Sequence, residues 1–229
     1  MSTELFIQST NSKGTTFGID YVTGDKIGIS YDTLPNNMPN TYGNYIALWQ
    51  NTDTIPWNQE PLKKQIIDTN TQNGSIAFSG LEITNQSYII GYAVGPEKPS
   101  PQQKYGNICS TAFIPATGSQ YEYFYANLTL TSHKPTSVAV DFQIPVGSMP
   151  MTNKAWLGMW RSSQAAYNNP PDYATPVDVD AETGTVAFND IKLLRRMTYT
   201  IALFMDGWQG AGKQNGQTTM AATLTFTNE

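Results

Sequence analysis

Cysteine and histidine are nearly missing from this chain, which has one of each, Cys109 and His133, in 229 residues. A lone cysteine excludes an intrachain disulfide, so the fold must be held by its core packing. Cys109 lies in the strand-like run Ile108-Cys109-Ser110-Thr111-Ala112-Phe113 and is expected to be a buried structural thiol rather than a nucleophile. A lone histidine leaves little for a Ser-His-Asp arrangement with Ser132 and Asp141. Ser132-His133-Lys134-Pro135 reads as an exposed loop, and no Gly-x-Ser-x-Gly elbow occurs.

Charge is scarce too. Charged residues make up 14% of the chain, the net charge is −5, and the deficit is shared by both halves: 6 Lys/Arg against 9 Asp/Glu in residues 1–118, and 7 against 9 in 119–229. Neither half is a basic arm, so nucleic acid and anionic membrane are not expected partners. No apolar stretch approaches membrane-spanning length. The opening Met-Ser-Thr-Glu-Leu-Phe-Ile-Gln has no basic segment followed by a long apolar run, so a signal peptide is not expected. The expected location is the cytoplasm, with export by a signal-independent route left open. Helical periods with caps over ten residues are also missing.

What the sequence has in quantity is aromatic and hydroxylated residues. It holds 13 Tyr, 9 Phe and 5 Trp, and with abundant Thr these favour half-buried pleated surfaces. It also repeats itself. Ile27-Gly28-Ile29-Ser30-Tyr31 is echoed 111 positions later by Val138-Ala139-Val140-Asp141-Phe142. The same shift carries Met38-Pro39 onto Met149-Pro150, Tyr45–Trp49 onto Trp156–Trp160, and Tyr88–Tyr92 onto Tyr199–Leu203. Shortened by one, it carries Trp57-Asn58 onto Tyr167-Asn168 and Gly74–Phe78 onto Gly184–Phe188. A near-constant offset over this length is a duplicated domain. The turn-rich Pro115–Gln120 marks the join and places repeat one at 1–116 and repeat two at 119–229.

Within each repeat the apolar period is two, as in a strand with one face in a core. Strands are expected near 3–9, 15–21, 26–32, 44–50, 74–79, 87–94 and 106–114, with Gly74 and Gly184 at hairpin turns. The fold class expected is all-β, two tandem antiparallel β-sandwiches. The run Gly24–Tyr31, a Pro-containing loop and Asn44–Trp49 resemble the B strand, loop and C strand of fibronectin-III and immunoglobulin-like domains. That resemblance implies that Trp49 and Trp160 are the core C-strand tryptophans. Paired cysteines of the antibody type are absent.

Fold alone carries no function, so the loops must. Trp57-Asn58 and Tyr167-Asn168 are aromatic–amide pairs in equivalent loops. There a ring can stack on a sugar face while an amide bonds hydroxyls, although the same pattern serves loop packing. Trp208, in the Gly-rich loop Asp206–Lys213, has no counterpart in the Pro-rich Gly95–Pro101 of repeat one and is a third candidate contact. Asp178, Asp180 and Glu182 form an oxygen-rich loop. Its glycine comes one position too late for an EF-hand, so a hairpin is favoured over a cation site. The expectation is a non-catalytic recognition module for a glycan or protein ligand through Trp57, Asn58, Tyr167, Asn168 and Trp208. It has no cofactor, metal or catalytic residue. The alternative is a component of a secreted adhesin, toxin or cell-surface assembly that self-associates through strand edges.

Overall fold

A computed structural model describes residues 10–98, 103–117 and 120–228; the strand expected at 3–9 lies outside these. Repeat one contributes β1 (Asn11–Gly14), β2 (Thr16–Val22), β3 (Lys26–Asp32), the short helix α1 (Pro39–Tyr42), β4 (Tyr45–Gln50), β5 (Lys63–Ile66), β6 (Asn73–Ser79), β7 (Tyr88–Ala93) and β8 (Ile108–Ile114). Repeat two contributes β9 (Glu122–Tyr125), β10 (Asn127–Lys134), β11 (Ser137–Gln143), β12 (Trp156–Trp160), β13 (Tyr173–Pro176), β14 (Thr183–Asn189), β15 (Met197–Phe204) and β16 (Met220–Asn228).

Each repeat builds an antiparallel sandwich of immunoglobulin-like type. In the first, the sheet β2-β3-β6 faces β5-β4-β7-β8; in the second, β10-β11-β14 faces β13-β12-β15-β16. The duplication extends to irregularities. The bulge between Ile19 and Tyr21 recurs between Leu130 and Ser132, and the shift between Tyr92 and Ala93 recurs between Leu203 and Phe204. Both repeats also hold the backbone before the sixth sandwich strand with a tyrosine. The Tyr88 hydroxyl accepts from the Thr84 N–H at 3.0 Å and that of Tyr199 from the Leu194 N–H at 2.7 Å, the corner bond typical of such sandwiches.

The larger sheet of each sandwich has a fifth strand, and that strand comes from the other repeat. β9 pairs antiparallel with β8, and β1 with β16. The chain crosses between sandwiches at Thr15, whose N–H donates to the Ala221 carbonyl at 3.1 Å, and at Ala126, whose N–H donates to the Cys109 carbonyl at 2.9 Å. The two crossings touch. A Cβ on Gly14 would lie 2.4 Å from the Ala126 carbonyl oxygen, so only glycine lets the chains pass. One apolar cluster accordingly runs through both repeats, including Ile27, Ile46 and Leu48 from the first and Val138, Leu157 and Met159 from the second.

Three sequence expectations are corrected, the first being the exposed loop at Ser132–Lys134, which is the end of strand β10 paired with β11. Trp49 and Trp160 are buried, but not between the sheets. Ile46/Leu48 and Leu157/Met159 take the inward face, and alternation turns the tryptophans outward into two separate apolar clusters. Gly74 and Gly184 lie inside β6 and β14 rather than in turns, pressed by the Tyr31 hydroxyl and the Phe142 ring, which a Cβ would meet at 2.6 and 2.9 Å. The outward tryptophans are roofed by the loops that follow them, residues 51–61 and 161–170, and each indole N–H anchors its roof. Trp49 donates to the Gln59 carbonyl at 2.8 Å and Trp160 to that of Asn169 at 2.9 Å.

Candidate functional site: a groove between the repeats

Loop 161–170 is fixed along its length. Arg161 grips Asp172 through its Nε and terminal nitrogen, at 2.8 and 2.6 Å, and its own N–H donates to the same carboxylate at 2.8 Å. Burial pushes the Asp172 carboxyl upward, but these bonds outweigh it and hold the group below the usual carboxylate range. The Gln217 amide donates to the Ala166 and Asn169 carbonyls at 2.7 and 2.9 Å. A loop tied at both ends and its middle presents its side chains in fixed positions, as a recognition surface requires.

One of those side chains, Tyr167, reaches repeat one and stacks on Tyr42 of α1 with centroids 5.2 Å apart and planes inclined by 21°. Beside the pair lies a groove of about 600 Å³, walled by Asn36, Asn37 and Met38 on one side and by Gln164, Ala166 and Asn168 on the other. Its lining includes no carboxylate, lysine, arginine or histidine. Burial raises the Tyr42 and Tyr167 phenols above their ordinary value, so both stay neutral. The surface on offer is therefore the half-buried Tyr42 ring, backed by a Tyr167 that is only 8% exposed, with amides and hydroxyls and without ionic charge. Asn37 is only 4% exposed, and neither polar atom of its side chain has a hydrogen-bond partner among the described residues; the same holds for the Tyr167 hydroxyl. The corresponding Ser148 hydroxyl is likewise unpartnered.

The groove continues in both directions. Tyr167 and Asn168 also border a depression walled by Gly212–Gln217, while Gln164 and Ala165 border a cavity of about 300 Å³ over Thr200, Thr223, Thr225 and Lys13. The Gly-rich wall folds on itself: the Gly216 N–H donates to the Gly207 carbonyl at 2.9 Å, and the Gln209 N–H to Asn215 Oδ1 at 2.7 Å.

The structure brings Tyr167 and Asn168 together in this groove and places the other expected contacts elsewhere. Trp57 is half-buried in the outward cluster of repeat one, its indole nitrogen 2.8 Å from where a Gly147 Cβ would be. The exposed Asn58 accepts the Lys104 N–H at 3.0 Å. Trp208 leans on Trp156, centroids 6.2 Å apart, and its backbone N–H donates to the Lys154 carbonyl. Tyr42, Asn36 and Asn37 were missed from sequence. Tyr42 carries the same signal that flagged Trp208, an aromatic present in one copy only, since the shift of 111 places Asn153 at its counterpart.

The remaining chemical groups have structural neighbours. Asp180 accepts from the Thr152 N–H at 2.9 Å and its hydroxyl at 2.6 Å, and Asn70 in repeat one binds Thr41 through the same two groups. This residue therefore clamps a turn in both copies. Burial pushes the Cys109 thiol up to about 12. Among the described residues, no group of three or more His, Cys, Asp or Glu side chains could hold a metal ion, and no helix is long and apolar enough to cross a membrane.

The strand pairing defines the class, a tandem immunoglobulin-like β-sandwich protein formed by internal duplication. No known family model and no curated protein matches the sequence. Among solved structures, the chain is similar to a DUF3823 family protein from Bacteroides uniformis, at 10% identity and a TM-score of 0.31 over 92% of this chain and 96% of that one. It is also similar to methylamine-reacted alpha-2-macroglobulin from Salmonella, at 9% identity and a TM-score of 0.30 over 96% of this chain, which spans 16% of that one.

Proposed function

We propose that this protein is a non-catalytic recognition module that holds a neutral glycan in the groove along loop 161–170. The observation that supports this is the lining itself, a stacked tyrosine pair flanked by amides with no charged side chain at the centre. A sugar ring offers an apolar face and a rim of hydroxyls. Tyr42, backed by the buried Tyr167, meets the first, and Asn36, Asn168 and Gln164 exchange hydrogen bonds with the second. A charged ligand would find nothing there to offset its desolvation. Of the loops read from the sequence, that of Tyr167 and Asn168 is the one this reading uses, and the groove's volume is in the range of small-molecule sites.

The test is a glycan array probed with the intact protein and with Tyr42→Ala, Asn168→Ala and Trp57→Ala, each verified as folded by near-ultraviolet circular dichroism. Removing one face of the pair should weaken binding about three- to tenfold, and Asn168→Ala should do likewise, while Trp57→Ala should leave it unchanged. A blank array for the intact protein, or equal loss in all three variants, would overturn the reading.

A further inference from the structure

The duplication supplies a second copy of the groove, and in that copy the space is filled by the protein itself. The shift of 111 carries Asn36-Asn37-Met38 onto Gly147-Ser148-Met149. The two turns have one backbone shape. Asn37 N–H donates to Leu34 O and Ser148 N–H to Pro145 O, both at 3.1 Å, and Asn36 and Gly147 share the left-handed conformation at φ 67° and 77°. At the second turn the carboxamide of Gln103, 2% exposed, occupies the flanking carbonyl and amide. Its Nε2 donates to Gly147 O at 2.7 Å, and its Oε1 accepts from Met149 N–H at 2.9 Å and Asn153 Nδ2 at 2.7 Å. At the first turn no described residue bonds the Asn36 carbonyl or the Met38 N–H; Tyr42 stands where Asn153 would be, and Tyr167 where Trp57 would be.

Gln103 therefore records what the turn recognises: one donor and one acceptor held close together, on the two heteroatoms of one carboxamide, and presented from the same side. Building on the glycan reading, we propose that the open groove captures a vicinal diol of a neutral sugar. One hydroxyl donates to the Asn36 carbonyl and its neighbour accepts the Met38 N–H, with the ring against Tyr42, which Tyr167 backs. A trans N-acetyl group does not fit this role, because its N–H and C=O point in opposite directions. A glutamine side chain would satisfy the turn but leave the tyrosine pair and the flanking amides unused, which favours the sugar.

The experiment follows single backbone amides by hydrogen exchange and ¹⁵N NMR in the full-length protein. In the free protein Met149 N–H is protected and Met38 N–H exchanges freely; equal protection of the two overturns the proposal. The probes are cellotetraose, maltotetraose and mannotetraose, each native and per-O-methylated, with N-acetylglutamine N-methylamide alongside. The expected result is that a native tetrasaccharide shifts and protects Met38 N–H, leaves Met149 unmoved, and binds about tenfold or more tightly than its per-O-methylated form, which lacks the donor. Binding of a tetrasaccharide without effect on Met38 would sink the diol contact and leave the glycan reading standing. Protection of Met38 by the glutamine compound alone would overturn both in favour of a protein partner. Silence from every probe would also overturn both.

Discussion

Gln103 holds the plugged turn and Asp172 holds loop 161–170 beside the open groove, and each yields a prediction from its hydrogen bonds. Gln103→Ala would strip partners from the Met149 N–H, the Gly147 carbonyl and the Asn153 amide at once. Because at least one buried group stays unpaired, the cost is about 1–3 kcal/mol, read as a lower denaturation midpoint in urea at unchanged slope. Asp172 tests pH. Its carboxyl sits below the usual range in the folded chain because the Arg161 bonds outweigh burial. A depressed folded value means the unfolded chain takes up protons first. The stabilisation is therefore fully present above about pH 4 and disappears as pH falls through the folded value. Asp172→Asn should be less stable than the wild type at neutral pH, and the gap in melting temperature should close on acidification toward about pH 2. A gap that stays constant with pH would rule out the ion pair as its source.

At the scale of elements, the crossing of β1–β2 over β9–β10 depends on Gly14. Gly14→Ala would drive a methyl group to within 2.4 Å of the Ala126 carbonyl. Neither side is the free end of a flexible side chain, so a loss of about 1–3 kcal/mol is expected in chemical denaturation. This element was invisible in the sequence, and the reason is physical. β1 reads Asn-Ser-Lys-Gly, with its first three residues exposed; a short edge strand needs no apolar alternation, so no period announces it. The same holds for β5, Lys-Lys-Gln-Ile, exposed throughout. The strands that were legible, such as β3, β4 and β11, bury at least one whole face and must alternate or run apolar to do so. Alternation still left one ambiguity. In Tyr45–Trp49 both faces are buried, so which face met the other sheet depended on the loop roof at residues 51–61, which carries no periodic signal. The groove was half legible for a similar reason: Tyr167 and Asn168 stood out as a repeated aromatic–amide pair, whereas Asn36 and Asn37 belong to a turn whose importance appears only beside its plugged twin.

For the whole molecule, shared strands and a continuous core imply shared stability. Calorimetry should give one cooperative transition with matching calorimetric and van't Hoff enthalpies, and two resolved transitions would contradict it. Fragments 1–118 and 119–229 should each fold poorly alone and recover native near-ultraviolet dichroism when mixed, since each supplies the strand the other's larger sheet lacks. The pairing of β1 with β16 also sets how the molecule answers a mechanical load. Asn11 lies opposite Thr225 and Gly14 opposite Ala222, so residues 10 and 228 lie at the same end of one antiparallel ladder. Tension applied there peels rungs one at a time instead of shearing them together. The short β1–β16 seam would open at low force, before the crossing at Gly14 bears any strain.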